Sequence, residues 1–340
     1  MKKIMVVYDG TEASRLLHEL MIARVQDQGL DAQVVRHDIQ RDSESGLSKG
    51  SGISEFRGRI DDLAAHVSDV DLLMVHLAPV SHEVIEAAPK LRFIASERSS
   101  LPNIDVACAR KHGIAVSYAA GRNARTVAEF TVGLMLDVTR FISAGNQLIK
   151  QGSWNSQLDR RPYTGIEMAG KRIGLLGLGG IARNVVKLLS GFGAEIVYYD
   201  PFFAAAWDGC LPVSREELLS TSDILSIHAR SDDGKCLVDA QDIAHMKHGA
   251  YLINTARGFL VDEPALIAAL QSGQLRGAAL DVFVQEPLPL DSPLITMPNV
   301  VLCPHLGGLS QDMNPRSAQF AAEDAIRFLK GEPLLHAYRG

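Results

Sequence analysis

The chain has 340 residues, room for two domains and a large core, and its 46% apolar and 22% charged content is an ordinary globular mixture. With 34 Lys and Arg against 40 Asp and Glu the net charge is −6, which argues against nucleic acid or an anionic membrane as partner. Asp9 comes too soon for a signal-peptide apolar region and no apolar run approaches a membrane span, so a cytoplasmic protein is expected. The four cysteines, Cys108, Cys210, Cys236 and Cys303, show no CxxC or Cys/His spacing; reduced thiols and no structural metal are expected.

Strand-like and helix-like segments alternate along the whole chain, the pattern of an α/β fold with parallel sheets. Residues 3–8 read as a strand, 12–28 as a helix and 32–36 as a second strand. The Ser- and Gly-rich stretch 41–58 reads as a loop. Strands follow at 71–77, 91–95 and 114–118, with helices between. A second series begins near 120. One long helix is expected from Asn123 to about Lys150, with Val127, Phe130, Leu134 and Val138 at helical spacing. A polar connector, 151–168, leads into strand, tight turn, helix and strand over 171–200. Further strands are expected at 223–228, 250–255, 277–282 and 299–303, and a final helix at 314–330 with no strand after it, packed back on the first domain.

The turn Gly177-Leu178-Gly179-Gly180-Ile181-Ala182 has the GxGxxG/A form between a strand and a helix. Gly177 allows the tight turn, Gly179 lets a pyrophosphate approach the backbone, and Ala182 keeps helix and strand close. The helix N-terminus offers free N–H groups to phosphates. Asp200 stands 23 residues after Gly177 at the next strand end, placed to accept ribose hydroxyls and to repel a 2′-phosphate. This favours NAD. Asp200 also precedes Pro201, so a purely turn-forming role is the competing reading. A methyltransferase is the competing function, since its sites also pair a glycine turn with an acid.

Three polar residues close successive strands of the second half. Arg257 follows LINTA, Glu286 follows LDVFVQ, and His305 follows VVLCP. Ligands bind at the carboxyl ends of parallel strands, so the three are candidates for one crevice. Together they suit oxidation of a hydroxyl by hydride transfer. Histidine moves the proton, a carboxylate fixes its tautomer, and a guanidinium grips a substrate carboxylate.

NTARG, LDVFVQEP and CPHLGG, with GLGGIA upstream, resemble the D-isomer-specific 2-hydroxyacid dehydrogenase family, relatives of D-3-phosphoglycerate dehydrogenase and glyoxylate reductase. The resemblance covers most of the chain and is strongest over 103–310. It implies that Arg257 binds the 2-keto or 2-hydroxy acid, that His305 is the acid/base and that Glu286 supports it. It implies cofactor contacts at Gly180, Ile181, Asp200, Ala256, Arg257, Asp281, His305 and Gly308, with Asp281 holding the nicotinamide carboxamide. The related formate dehydrogenase branch carries Gln at the Glu286 position. The family fold has two Rossmann-like, doubly wound parallel-sheet domains, one inserted in the other. Here that implies an NAD domain at 121–304 inside a substrate domain made of 1–120 and 305–340, with hinges near Ala120 and Pro304 and a homodimer formed through the long helix after Arg122.

The chain departs from the family pattern twice. The usual GxGxDN loop reads Ser96-Glu97-Arg98-Ser99-Ser100-Leu101-Pro102-Asn103 here. Arg98, with Ser99, either joins the substrate site or faces solvent, and Arg122 invites the same two readings. Both facing the substrate implies a sugar acid or phosphorylated hydroxy acid. The family's His-x-Pro is His228-Ala229-Arg230, and Arg230 weakens the preference for NAD over NADP. An NAD(H)-sensing binding protein, like the C-terminal-binding-protein corepressors, is the alternative of another class.

Overall fold

A computed structural model describes residues 1–40, 48–50, 52–154, 158–231 and 234–339. The chain divides into two units: unit 1 is Met1–Asn123 with Ser310–Gly340, and unit 2 is Ala124–Leu309.

Unit 1 starts with β1 (Lys2–Tyr8), α1 (Glu12–Asp27) and β2 (Ala32–Asp38). Thr11 caps α1 by accepting the Ser14 N–H. Residues 41–58, expected to be a loop, contain a short antiparallel hairpin of β3 (Ser48–Gly50) and β4 (Ile53–Phe56). Ile53 and Phe56 are buried, and burial of two such side chains outweighs the turn-forming composition. Residues 41–47 and 51 of that stretch lie outside the described residues. Then come α2 (Ile60–His66), β5 (Leu72–Val75), α3 (His82–Glu86), β6 (Phe93–Ser96), α4 (Val106–Lys111) and β7 (Ala115–Tyr118). The five long-range strands pair in parallel in the order β2-β1-β5-β6-β7.

The chain's last helix, Met313–Lys330, lies in this unit too. Its Ala318, Ala321, Ala322 and Ala325 share a buried cluster with Ile4, Leu17, Met21 and Phe93. Small side chains at helical spacing let the helix lie close against α1 and the sheet. Residues beyond it return to β7: Ser117 bridges Ala337 antiparallel, where no strand was expected. Buried Asp324 fixes that return by accepting the Leu335 and His336 N–H groups.

Unit 2 opens with α5 (Ala124–Arg140) and α6 (Ile142–Lys150), two helices where one was expected. The break lies at Phe141, whose φ is 58°. The Thr139 carbonyl, which a continuous helix pairs with the Ser143 N–H, instead accepts the Ile166 N–H of the connector. Ser143 N–H donates to Asp137 Oδ1. The connector's docking therefore ends the first helix.

The sheet of unit 2 uses β8 (Arg172–Leu176), β9 (Glu195–Tyr199), β10 (Leu211–Pro212), β11 (Ile224–Ile227), β12 (Ala250–Asn254), β13 (Leu275–Leu280) and β14 (Val300–Leu302). Their order is β10-β9-β8-β11-β12-β13-β14, every pair parallel. The connecting helices are α7 (Gly180–Leu189), α8 (Arg215–Thr221), α9 (Ala240–His245) and α10 (Glu263–Ser272). Both faces of the sheet are covered by buried apolar clusters, as a parallel sheet requires. The order reverses direction at β8, where β9 leaves to one side and β11 to the other. Such a switch point opens a crevice at the strands' carboxyl ends.

Candidate active site

The glycine turn lies at that switch point, between β8 and α7. Gly177 has a φ of 93°, and a Cβ there would come within 2.8 Å of the Ala229 nitrogen. Only glycine fits, so the tips of β8 and β11 can touch. At Gly179 a Cβ would meet nothing within 4 Å, and no side chain caps α7. The first N–H groups of this ten-residue helix are thus open to an anion, which fits a dinucleotide pyrophosphate. Ala182 is fully buried against the sheet. Asp200 accepts the Leu178 N–H at 2.8 Å and the Phe202 N–H at 2.9 Å. It therefore shapes the turn, and its remaining lone pairs are free for hydroxyl groups.

His228 stands at the end of β11, its Nε2 2.9 Å from Ser226 Oγ, and burial pushes its pKa down to about 4. It is neutral at physiological pH. Arg230 is exposed.

Arg257, Glu286 and His305 follow β12, β13 and β14, three adjacent strands. The turn after β12 is held by Asn254, which accepts the Ala256 N–H and donates to the Arg257 carbonyl. Thr255 is buried and shares a 2.8 Å hydrogen bond with Thr131 of α5. Arg257 is exposed; its guanidinium bonds the Ala256 carbonyl, and it makes no ion pair among the described residues. The loop then crosses the one after β13 backbone to backbone. A Cβ on Gly258 would fall 1.9 Å from the Phe283 carbonyl carbon, so glycine is required for the crossing.

Glu286 is anchored by the Phe283 N–H at Oε1, 3.1 Å away. Its Oε2 lies 2.8 Å from His305 Nδ1. Partial burial pulls its pKa up. The bonds from His305 and Phe283, and the charges of His305 and Arg257, outweigh that and hold it below the usual value. A carboxylate on Nδ1 favours the tautomer with the proton there and leaves Nε2 as an acceptor. The His305 side chain is 51% exposed, so that nitrogen is accessible.

His305 sits at a φ of 55°, a left-handed conformation uncommon away from glycine. Asp281 holds it there. The Asp281 carbonyl accepts the His305 N–H, and its carboxylate takes the Leu306 N–H at 2.7 Å and the Gly307 N–H at 2.8 Å. Burial raises the Asp281 pKa against these bonds. Backbone strain retained by a bonded frame is a frequent mark of function. Asn254, Gly258 and the structural work of Asp281 went unseen in the sequence; NTARG and LDVF contain or adjoin them, but their side-chain partners are distant in the chain.

In unit 1 Arg98 is engaged by Glu55 of β4. Its Nη2 lies 2.6 Å from Glu55 Oε2 and Nη1 donates to the Glu55 carbonyl. The hairpin missed in the sequence supplies this partner. Arg122 donates to the Glu97 carbonyl at 2.8 Å and to Ser317 Oγ at 3.1 Å. Ser99 follows Arg98 on the same loop.

An open glycine turn, a carboxylate-held imidazole and a guanidinium without an ion pair among the described residues, all following strands of one parallel sheet, fit a dinucleotide-dependent dehydrogenase acting on small acids. Residues 132–307 match the D-isomer specific 2-hydroxyacid dehydrogenase, NAD binding domain. The chain is 41% identical to a glyoxylate reductase from Thermofilum pendens over 280 residues, 80% of this chain and 82% of that protein. It is 37% identical to a D-3-phosphoglycerate dehydrogenase from Methanocaldococcus jannaschii over 80% of this chain but 52% of that protein. Among solved structures, an NAD-dependent formate dehydrogenase from Staphylococcus aureus, in complex with NAD, matches with a TM-score of 0.68 and 27% identity over 97% of this chain and 96% of that one. A Treponema pallidum D-lactate dehydrogenase shares the fold, with a TM-score of 0.74 at 22% identity over 99% of this chain and all of that one. The chain belongs to the D-isomer-specific 2-hydroxyacid dehydrogenase family and is an NAD-dependent D-2-hydroxyacid dehydrogenase. The methyltransferase reading is set aside.

Proposed function

We propose that the protein interconverts a small D-2-hydroxy acid and its 2-keto acid, with His305 as the acid/base. The observation that carries this is the 2.8 Å bond between His305 Nδ1 and Glu286. The nicotinamide supplies the hydride chemistry. In the oxidising direction His305 Nε2 takes the hydroxyl proton, and Glu286 stabilises the imidazolium that forms. Arg257 binds the substrate carboxylate through its planar fork and polarises the reacting oxygen. Gly177, Gly179, Gly180 and Ile181 hold the pyrophosphate, Asp200 the ribose, and Ala256, Asp281 and Gly308 line the nicotinamide end. Unit 1 is the substrate domain and unit 2 the NAD domain.

Arg98 and Ser99 enter as substrate contacts on the family resemblance. A doubly anionic substrate needs Arg98 and Arg122 as free cations. The bond from Arg98 to Glu55 supports instead a small, singly charged 2-keto acid of the glyoxylate type. We infer a homodimer through α6: none of its residues is buried, and Ile142 and Ile149 are exposed beside Trp154. No described helix is long and apolar enough to cross a membrane, and we propose a cytoplasmic enzyme. No observation favours the nucleotide-sensing alternative.

The test is NADH oxidation by purified protein against a panel of glyoxylate, hydroxypyruvate, sugar 2-keto acids and a phosphorylated keto acid. Turnover with the uncharged-side-chain acids is expected. Protein that binds NADH yet turns over none of the panel overturns the assignment.

A further inference from the structure

The cysteine spacing gives no reason to expect a metal, but ligands brought together from separate elements leave no spacing signature. Unit 1 contains such a group. His37 on β2, with Asp62 and His66 on α2, places one ligand atom from each residue within 4.8 Å of the others. His37 Nε2 lies 3.0 Å from Asp62 Oδ2, and His66 Nδ1 lies 3.6 Å from Asp62 Oδ1. Metal–ligand bonds of 2.0–2.1 Å in a tetrahedron separate the ligand atoms by about 3.3 Å. The two contacts fall on different oxygens of the Asp62 carboxylate; taken one atom per residue, the three ligand atoms lie within 4.8 Å and close on an ion by small side-chain rotations. The imidazole rings lie 4.5 Å apart at their centres.

We propose that His37, Asp62 and His66 form a binding site for a divalent transition-metal ion, zinc being the best match to two imidazoles and one carboxylate. Several features mark a built site. Asp62 and His66 are four apart on one helix, which puts both ligands on the same face. The Asp62 side chain is only 5% exposed and its orientation is fixed by the Gln40 N–H, which donates to Oδ2 at 2.8 Å. Support of that kind around a ligating carboxylate sets its geometry before the ion arrives. His37 is 13% exposed and His66 is 52% exposed, so the ion has an approach from solvent on the His66 side. Three protein ligands leave a fourth position for water. His66 Nδ1 donates at present to the Asp62 carbonyl at 2.7 Å. Coordination through Nδ1 moves that proton to Nε2, a change of tautomer with no net proton release.

The consequence is mechanical. β2 is the edge strand of the five-stranded sheet, and α2 follows the hairpin that carries Glu55. An ion shared by β2 and α2 ties together the two elements that flank the β3–β4 hairpin in the chain. It thereby steadies the partner of Arg98.

The full-length protein, stripped with a chelator and dialysed, is titrated with Co2+ and with Zn2+. One Co2+ per chain with visible ligand-field absorption is expected, and a Tm higher by about 5 °C with Zn2+ at a hundredfold excess over Kd. His66→Ala and His37→Ala are each expected to weaken Co2+ binding by more than the roughly 10–100-fold that loss of a supporting partner costs. His66 is half exposed, so its replacement leaves the fold intact. His305→Ala is expected to retain the cobalt signal. A signal that survives in His66→Ala, or that disappears in His305→Ala instead, overturns the site. So does the absence of binding at micromolar metal.

Discussion

Each parallel sheet carries an acid–imidazole pair at its carboxyl end, and the two pairs differ in exposure. In unit 2 His305 and Glu286, 2.8 Å apart, are 51% and 39% exposed. In unit 1 His76 and Asp9, 3.4 Å apart, are 14% and 0% exposed. Asp9 further accepts the Leu77 N–H, the Thr11 N–H and hydroxyl and the Ser14 hydroxyl. Burial pushes its pKa up, but His76 and these donors overcome that and hold it well below the carboxylate range. The same two chemical groups serve opposite ends. In the closed pair the Asp9 carboxylate has its acceptor sites filled by protein donors, which fastens the sheet end. The open pair is half exposed, and His305 Nε2 has no hydrogen-bond partner among the described residues.

Breaking the open pair is expected to give the largest effect. His305→Ala should lower kcat by about 10²–10⁴-fold, the usual worth of general acid–base catalysis, with little change in Tm. Arg257→Lys should lower kcat/KM severely, because an ammonium cannot reproduce the bidentate fork. Steady-state kinetics with NADH decide both; wild-type kcat/KM in either variant removes that residue from the mechanism. The Glu286 carboxylate is held below its ordinary value, so it should stay ionised somewhat below the pH at which a free glutamate takes up a proton.

Breaking the closed pair should do the reverse. His76→Ala removes a partner from a buried charge, a change that costs about 3 kcal/mol in comparable sites, reduced here by the remaining donors. Thermal unfolding should show a lower Tm. A variant with unchanged Tm and collapsed kcat would place His76 with the reacting groups and erase the distinction.

How far the sequence disclosed this depends on the range of the interactions. The glycine turn, Asp200 and the Arg257, Glu286 and His305 order are local signals: each is a strand ending in a residue type that cannot pack there. Their frame is not local. Asp281 reaches 25 residues to the Leu306 N–H, and Gly258 touches Phe283 25 residues on. The helix from Asn123 was read too long because its stop, the Ile166 N–H on the Thr139 carbonyl, comes from beyond it in the chain. The hairpin around Glu55 was hidden by Ser- and Gly-rich composition, and with it the partner of Arg98. His37 and His66 carry no motif at all.

The smallest predicted effect sharpens the comparison within unit 1. Glu97 follows β6 and is fully buried, yet neither carboxyl oxygen has a hydrogen-bond partner among the described residues. Burial, reinforced by the charge of Asp9 and opposed by Arg122, raises its pKa well above the ordinary value. The sign follows directly. As pH rises past the usual carboxylate value the unfolded chain releases this proton while the folded chain keeps it. Stability is therefore lost progressively from about pH 4.5 up to the raised value, and nothing is lost below. Glu97→Gln keeps the shape and never ionises, so it should raise Tm by on the order of a few °C near pH 8 and leave it unchanged near pH 4. An equal shift at both pH values would mean that the carboxyl is not held neutral. A lower Tm at pH 8 would mean that it is ionised and paired, as Asp9 is, and the two acids at this sheet end would then be alike.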